Sequence, residues 1–318
     1  MKSQPATADR PPARQIQEVP LLRYILKHKM LYLLSLPGII YFIIFKYIPL
    51  AGVVIAFQDY NIFKGFSGSE WVGLEHFQRM FQYMDFLRIL KNTLLIALYD
   101  LLFAFPAPII IALLLNEIRL LMYKRIIQTV IYMPHFLSWV IIGGISMAVL
   151  GVDQGLWNHI RDWFGLERLF FLGDAKYIRE VLVGAGIWRD TGWGTVVYLA
   201  AIAGINPVLY EAAEVDGANR WKQTISITVP SLLPTIVILF LLQIGNFLDF
   251  GFERVYIFLN TLNISSGDIL DTYIYRVGLL DMQLSYTTAI GMFKSVVGLL
   301  LLVLGNTISR RATGESLY

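Results

Sequence analysis

Four ionisable residues, Asp100, Arg189, Asp190 and Lys294, stand inside stretches otherwise apolar enough to enter lipid, with Lys46 in a fifth place. A charge within hydrocarbon must pair, face a water-filled cavity or serve transport. Asp100 and Lys294 carry opposite charge and can satisfy one another. Arg189 and Asp190 are neighbours that water reaches if they lie near a span end, and Lys46 can extend its ammonium to the interface. Each residue is thus open to two readings, a structural pair or a transport pathway, and Lys294 is carried forward as a pathway candidate because its surroundings are so apolar. Gln243 and Asn246 add two amides three residues apart, hence on one face of a helix. An unpaired amide in lipid costs several kcal/mol, so this face must meet protein or a cavity.

Catalytic patterns are missing. The chain has no G-x-x-x-x-G-K-[ST] phosphate loop, no H-E-x-x-H and no G-x-S-x-G. Its four histidines (28, 76, 135 and 159) lack metal-ligand spacing, and with no cysteine there is no thiolate nucleophile, disulfide or Cys-ligated metal. An enzyme and a bound metal are both unexpected on this basis.

The elements that must position these residues are long apolar helices. Of 318 residues, 56% are hydrophobic and 15% charged; soluble domains run nearer a quarter charged. The mean hydropathy of +0.60 is concentrated in blocks, which decides for an all-α membrane protein. A net charge of +3 without a basic stripe argues against nucleic acid. Roughly 20 apolar residues cross a bilayer as a helix, and six stretches qualify, at about 31–57, 93–115, 126–150, 181–205, 229–248 and 287–308. Residues 1–20, polar and Pro-rich, read as a flexible tail rather than a signal peptide, and residues 21–318 as one transmembrane domain.

With both termini inside, the inner segments hold 13 Lys and Arg in 73 residues and the outer ones 10 in 103. Positive charge favours the cytoplasmic side, so the termini and residues 206–228 are expected there. The outer segments carry Trp71, Phe77, Trp157, Trp163, Phe170 and Phe171 and read as short interfacial helices. GGISMAVLG in the third span offers small residues for close helix packing.

The inner segment 206–228 is compact and charged between two greasy spans. Asn206 has N-cap chemistry and Pro207 suits the first helical position. VLYEAAEVD reads as two helical turns, Gly217 as their end, and a second short helix at about 218–226 as the return to the membrane. The result is a helix–turn–helix elbow outside the bilayer.

The spacing Glu211-Ala212-Ala213, three residues, Gly217, nine residues, Ile227, one residue, Val229-Pro230 resembles the E-A-A-x3-G-x9-I-x-L-P signature of ABC importer permeases, with Val229 in place of Leu. Asp216 and Ala218 beside the glycine fit the sugar-type members. The runs LLSLPGIIYFIIFKYIPLAGVVIAFQDYNIF, WVGLEHFQRMF and YMPHFLSWVIIGGI are similar to oligosaccharide and polysaccharide permeases of that family.

The resemblance implies a type I importer architecture in the cell membrane. It also implies a second homologous permease of different sequence, two ATPase subunits holding ATP and magnesium, and an extracytoplasmic binding protein that delivers a carbohydrate. It implies that Glu211, Ala212, Ala213, Asp216, Gly217, Ile227 and Pro230 form or support a coupling helix seated on an ATPase. No cofactor is implied on this chain.

Sugars are recognised by flat aromatic surfaces and by amide or hydroxyl groups. Trp139, Trp188, Trp193, Tyr198, Gln243, Asn246 and Asp249 are the candidates here, together with Lys294. Packing or lipid contact is the competing role for each aromatic, and helix–helix bonding for the amides. The intramembrane charges leave one further class open, an ion-coupled secondary carrier or channel.

Overall fold

The computed structural model describes residues 27–314 and 316. The expected flexible tail at 1–20 lies outside the described residues. Contacts divide the chain into two units, Met1–Val53 and Val54–Tyr318.

The first unit is occupied by most of α1 (Lys29–Phe57), which is apolar on every side. Its side chains stay open from Lys29 to Ala51, Leu34 at 82% and Phe45 at 62%, and only the last turn, with Ala56, is covered. A helix hydrophobic all round is stable only where lipid or protein covers it.

Among the described residues, four helices are long and apolar enough to cross a membrane: α1, α2 (Met84–Glu117), α7 (Arg220–Gly245) and α9 (Leu284–Arg311). Two bent pairs bring the number to six if each pair is one span. The first joins α3 (Leu121–Phe136) to α4 (Trp139–Leu150) at 109°, and the second joins α5 (Ile178–Ala203) to α6 (Pro207–Val215) at 70°. Among the described residues the regular structure is helical apart from a two-residue antiparallel ladder, β1 (Gln58–Asp59) with β2 (Glu70–Trp71).

The third span departs from the expected continuous helix over 126–150. Pro134 sits in a tightened turn over Met133–Phe136, Leu137 is extended, and Ser138 caps α4 by accepting from the Ile141 amide. A proline that cannot donate, followed by a side-chain cap, stops one helix and starts another. The elbow's second half also differs. Arg220–Gln223, capped by Asn219, runs without interruption into the fifth span as α7.

Three helices widen by one residue just ahead of a proline. The amides of Ile48, Phe105 and Val229 each donate to a carbonyl five residues back, at Ile43, Asp100 and Thr224. Pro49, Pro106 and Pro230 follow directly. A proline ring crowds the carbonyl four residues before it, so the preceding turn opens to a π geometry and the helix continues instead of breaking.

In the second unit, α5 is the central element, packed along the second half of α2 and against α3. Its small residues set the distance. A Cβ on Gly192 would collide with the Ile131 carbonyl, and one on Gly194 would press on Pro108. The largest buried cluster joins Ile96, Trp139, Ile142, Leu182 and Val255, the last from the short helix α8 (Phe252–Phe258). A second unites Met80, Phe86 and Ile89 with Tyr286 and Ile290 of α9. Residues 151–180 fold on themselves, with Asn158 bridging to the carbonyls of Gly151 and Leu169. There Arg168 forks onto Asp162 and holds that carboxyl below the usual carboxylate range.

Backbone cannot give way as a flexible side chain can, so Gly192→Val is expected to prevent assembly, seen as loss of the monodisperse peak in detergent. Gly184→Val, on the same helix where a Cβ meets nothing within 4 Å, is expected to purify like wild type. Equal behaviour of the two variants would contradict the close α5–α3 approach.

Candidate functional site

The α5–α7 region builds a polar cavity of about 430 Å³ against α2. α5 supplies Asp190 and Tyr198, and α7 supplies Gln243. Beyond Gly245 the chain leaves the helix, and Asn246 and Asp249 enter the lining from this unwound stretch. A second cavity of about 360 Å³ lies between α7 and α9. Asn246 and Asp249 line this one too, facing Asp271 and Lys294.

The innermost charges are closed on one another. Arg254 donates from Nη1 and Nη2 to the two carboxylate oxygens of Asp100 at 2.8 and 2.9 Å, and from Nε to the Leu182 carbonyl at 2.9 Å. Both side chains are buried. The open π turn at Asp100 presents the carboxylate, α8 carries the guanidinium, and Gly186 leaves room for it, since a Cβ there would lie 2.8 Å from Arg254 Cζ. Asp100 therefore does not pair with Lys294. Lys294 instead donates to Asp271 and lies 3.7 Å from Asp249.

The aromatic candidates separate. Tyr198 lines the first cavity. Trp139 is buried beneath the Arg189 guanidinium, 4.9 Å above its ring, and faces neither cavity. Trp188 lies among Ile145, Val149 and Ala185 in an apolar hollow on another side of α5. Trp193 stacks parallel to His135 at 4.9 Å. Asp190 accepts from His135 Nδ1–H at 3.0 Å and from Arg189 at 2.8 Å. This group ties α5 to the break between α3 and α4.

Sequence reasoning missed Arg254, Asp271 and His135. Arg254 and Asp271 fall in a segment counted as lying outside the membrane, so the rule that flags intramembrane charge passed over them. The signal available for Arg254 was its setting in Phe252-Glu253-Arg254-Val255, one adjacent acid and one base in an otherwise apolar and aromatic stretch.

The elbow is the second candidate. Asn206 accepts from the Val208 amide at 3.1 Å with Pro207 at the first helical position, as the sequence suggested. Gly217 sits at φ +76°, a conformation glycine adopts without penalty, and the Ala218 amide closes the helix onto the Ala213 carbonyl at 2.8 Å. Glu211, Ala212, Asp216 and Gly217 are exposed, Ala213 and Ile227 are half-buried and Pro230 is exposed. Val215 (89%) and Trp221 (73%) leave apolar surface open on this charged segment. Tyr210 bonds Thr228 at 2.8 Å, holding α6 to α7, and Glu117 reaches Arg220 at 3.4 Å from the end of α2.

Residues 104–314, which contain the elbow and most of the cavity wall, match the model of a family described as binding-protein-dependent transport system inner membrane component. The chain belongs to that family. It is a multi-pass cell-membrane protein and a transport component. It is 48% identical to the polygalacturonan/rhamnogalacturonan transport system permease protein YteP of Bacillus subtilis over 94% of this chain and 93% of that one. It is 46% identical to Protein LplB of the same organism over the full length of both. Among solved structures, it superposes with a TM-score of 0.86 and 38% identity on a chain of a bacterial alginate ABC transporter in complex with an alginate pentasaccharide-bound periplasmic protein, covering 93% of this chain and 99% of that one.

Breaking a buried pair by removing one partner destabilises by about 3–5 kcal/mol, whereas removing both is far milder. Asp100→Ala is therefore expected to lower the unfolding temperature in detergent sharply, and Asp100→Ala with Arg254→Met to recover most of the loss. A single variant that melts with wild type would contradict the clamp.

Proposed function

We propose that this permease forms half of the transmembrane channel of an ATP-driven importer for carbohydrate oligomers. The observation that carries the reading is that both helices walling the cavity are rooted in the elbow. α5 runs 26 residues from the outer segment to the α6 bend, about 39 Å at 1.5 Å per residue. It bears Asp190 and Tyr198 on the way. α7 begins inside the elbow and ends at Gly245, beside Asn246 and Asp249. A push on α6 thus reaches the cavity wall through α5, an uninterrupted helix, and through α7, which carries a π turn ahead of Pro230; a packed two-state element of this kind can be biased by a nucleotide-driven closure.

In this proposal the elbow and both termini are cytoplasmic, and α6 seats in a groove of a separate ATPase that holds ATP and magnesium. Ala212 and Ala213 permit close approach, Glu211 and Asp216 can meet basic groove residues, and Val215 can fill an apolar recess. Gly217 allows the return, and Ile227 and Pro230 fix the start of the fifth span. A second, homologous permease completes the channel, and an extracytoplasmic binding protein delivers the substrate. The names of the relatives support a carbohydrate: polygalacturonan or rhamnogalacturonan for one and alginate for another. Tyr198, Gln243, Asn246 and Asp249 are the proposed pathway residues, with Lys294 behind them. Trp193, stacked on His135, supports the helices together with Trp139 and Trp188.

Ala213→Trp is expected to reduce uptake into ATP-loaded proteoliposomes to a few per cent of wild type or less while the protein still inserts and purifies. Vanadate is expected to stop wild-type uptake and proton or sodium ionophores to leave it unchanged. Ionophore-sensitive, vanadate-resistant uptake would instead identify an ion-coupled carrier.

A further inference from the structure

Glu117 is the last residue of α2 and Arg220 the first of α7. Helix dipoles favour the reverse, cations at a C-terminus and carboxylates at an N-terminus. Both residues therefore stand at the helix end that disfavours them, and they meet across it. Arg220 Nη1 donates to Glu117 Oε2 at 3.4 Å. The Thr224 hydroxyl, shared with the Arg220 carbonyl, lies 3.3 Å from Oε1. Charges set against local preference are expected where a function requires them.

The position of this contact on α7 gives it a mechanical meaning. Thr224 opens the π turn Thr224–Thr228, where the hydrogen-bond ladder of the helix is weakened. Beyond that turn, Leu232 packs in one buried cluster with Ala112 of α2 and with Tyr198 and Ile202 of α5. On the elbow side of the turn, a polar cavity of about 370 Å³ lies beside the pair, lined also by Asn116, Lys124, Glu214 and Gln223. There the link from α7 to α2 is the polar one that Glu117 makes. Glu117 thus grips α7 below its hinge. A pair this exposed contributes little to stability, so what it secures is the register of two helix ends. α2 in turn brings Asp100, Ala104, Phe105 and Pro108 to the first cavity.

We propose that Glu117 is a positioning residue that carries displacement of the elbow into α2, so that α2 moves with the root of α7 as a third lever on the cavity wall. The proposal rests on the reading that α6 receives the nucleotide-driven push, and it adds a route that α5 and α7 do not supply.

The test uses the full transporter with partner subunits freed of cysteine. Spin labels are placed at Leu114→Cys on α2 and Lys222→Cys at the root of α7, both exposed positions in a chain without native cysteine. The distance between the labels is expected to be the same in the nucleotide-free and ATP–vanadate-trapped states. Glu117→Arg removes the pair yet improves the charge at the α2 end, and is expected to make the two states differ by about 2 Å or more. Glu117→Arg with Arg220→Glu rebuilds the pair with each charge at its preferred helix end, and is expected to restore the constant distance. Unfolding temperatures, measured alongside, verify that each variant folds; a role in folding alone would not make the distance depend on nucleotide. A wild-type distance that changes with nucleotide, a Glu117→Arg distance that does not, or a double variant that behaves like the single one overturns the proposal. The elbow reading survives those results when a thiol at Val215 still crosslinks to an ATPase in a nucleotide-dependent manner. Loss of that nucleotide dependence in the wild-type background overturns the elbow reading and the proposal with it.

Discussion

A guanidinium placed among apolar helices must have its donors met or the region cannot pack, and the clamp between Arg254, Asp100 and the Leu182 carbonyl meets that demand. Burying such charges is costly, and the cost is offset only by good geometry and full hydrogen bonding. The surrounding chain is shaped accordingly. α2 opens into a π turn at Asp100, α5 has no side chain at Gly186, and α8, in the connection between α7 and α9, delivers the arginine. One constraint thereby joins α2, α5 and α8 at the edge of the cavity.

The proline-linked π turns bear on motion. Each marks a place where a long helix carries a weakened hydrogen-bond ladder without breaking. Two flank the cavity helices, ahead of Pro106 in α2 and ahead of Pro230 where α7 leaves the elbow. α5, by contrast, is an uninterrupted α-helix of 26 residues. The wall thus combines a stiff lever with two hinged ones, an arrangement suited to converting a small displacement of α6 into a change of cavity shape.

The elbow was legible because its determinants are local. Asn206 and Pro207 start a helix and Gly217 ends it through preferences that act within a few residues, and the structure has each feature in place. The intramembrane charges were not legible in the same way. Asp100 lies 154 positions from Arg254, and nothing local distinguishes that partner from Lys294. The third span was read as continuous because hydropathy reports apolar content and not direction. Met133-Pro134-His135-Phe136 is as greasy as a straight helix, yet Pro134 and the Ser138 cap turn it by 109°. Of the tryptophans, type alone gave no way to separate Trp193, stacked on His135, from Trp139, sealed beneath Arg189. That distinction arises from packing.

The central claim is that work done on another polypeptide enters this one through α6. The chain has no cysteine, so a single thiol at Val215, on the exposed end of that helix, can be addressed without further changes. Crosslinking from Val215→Cys in native membranes should capture a nucleotide-hydrolysing subunit, with a yield that changes between ATP-bound and nucleotide-free states. Absence of any such partner, together with ready labelling of the thiol by an impermeant reagent added outside intact cells, would contradict the account.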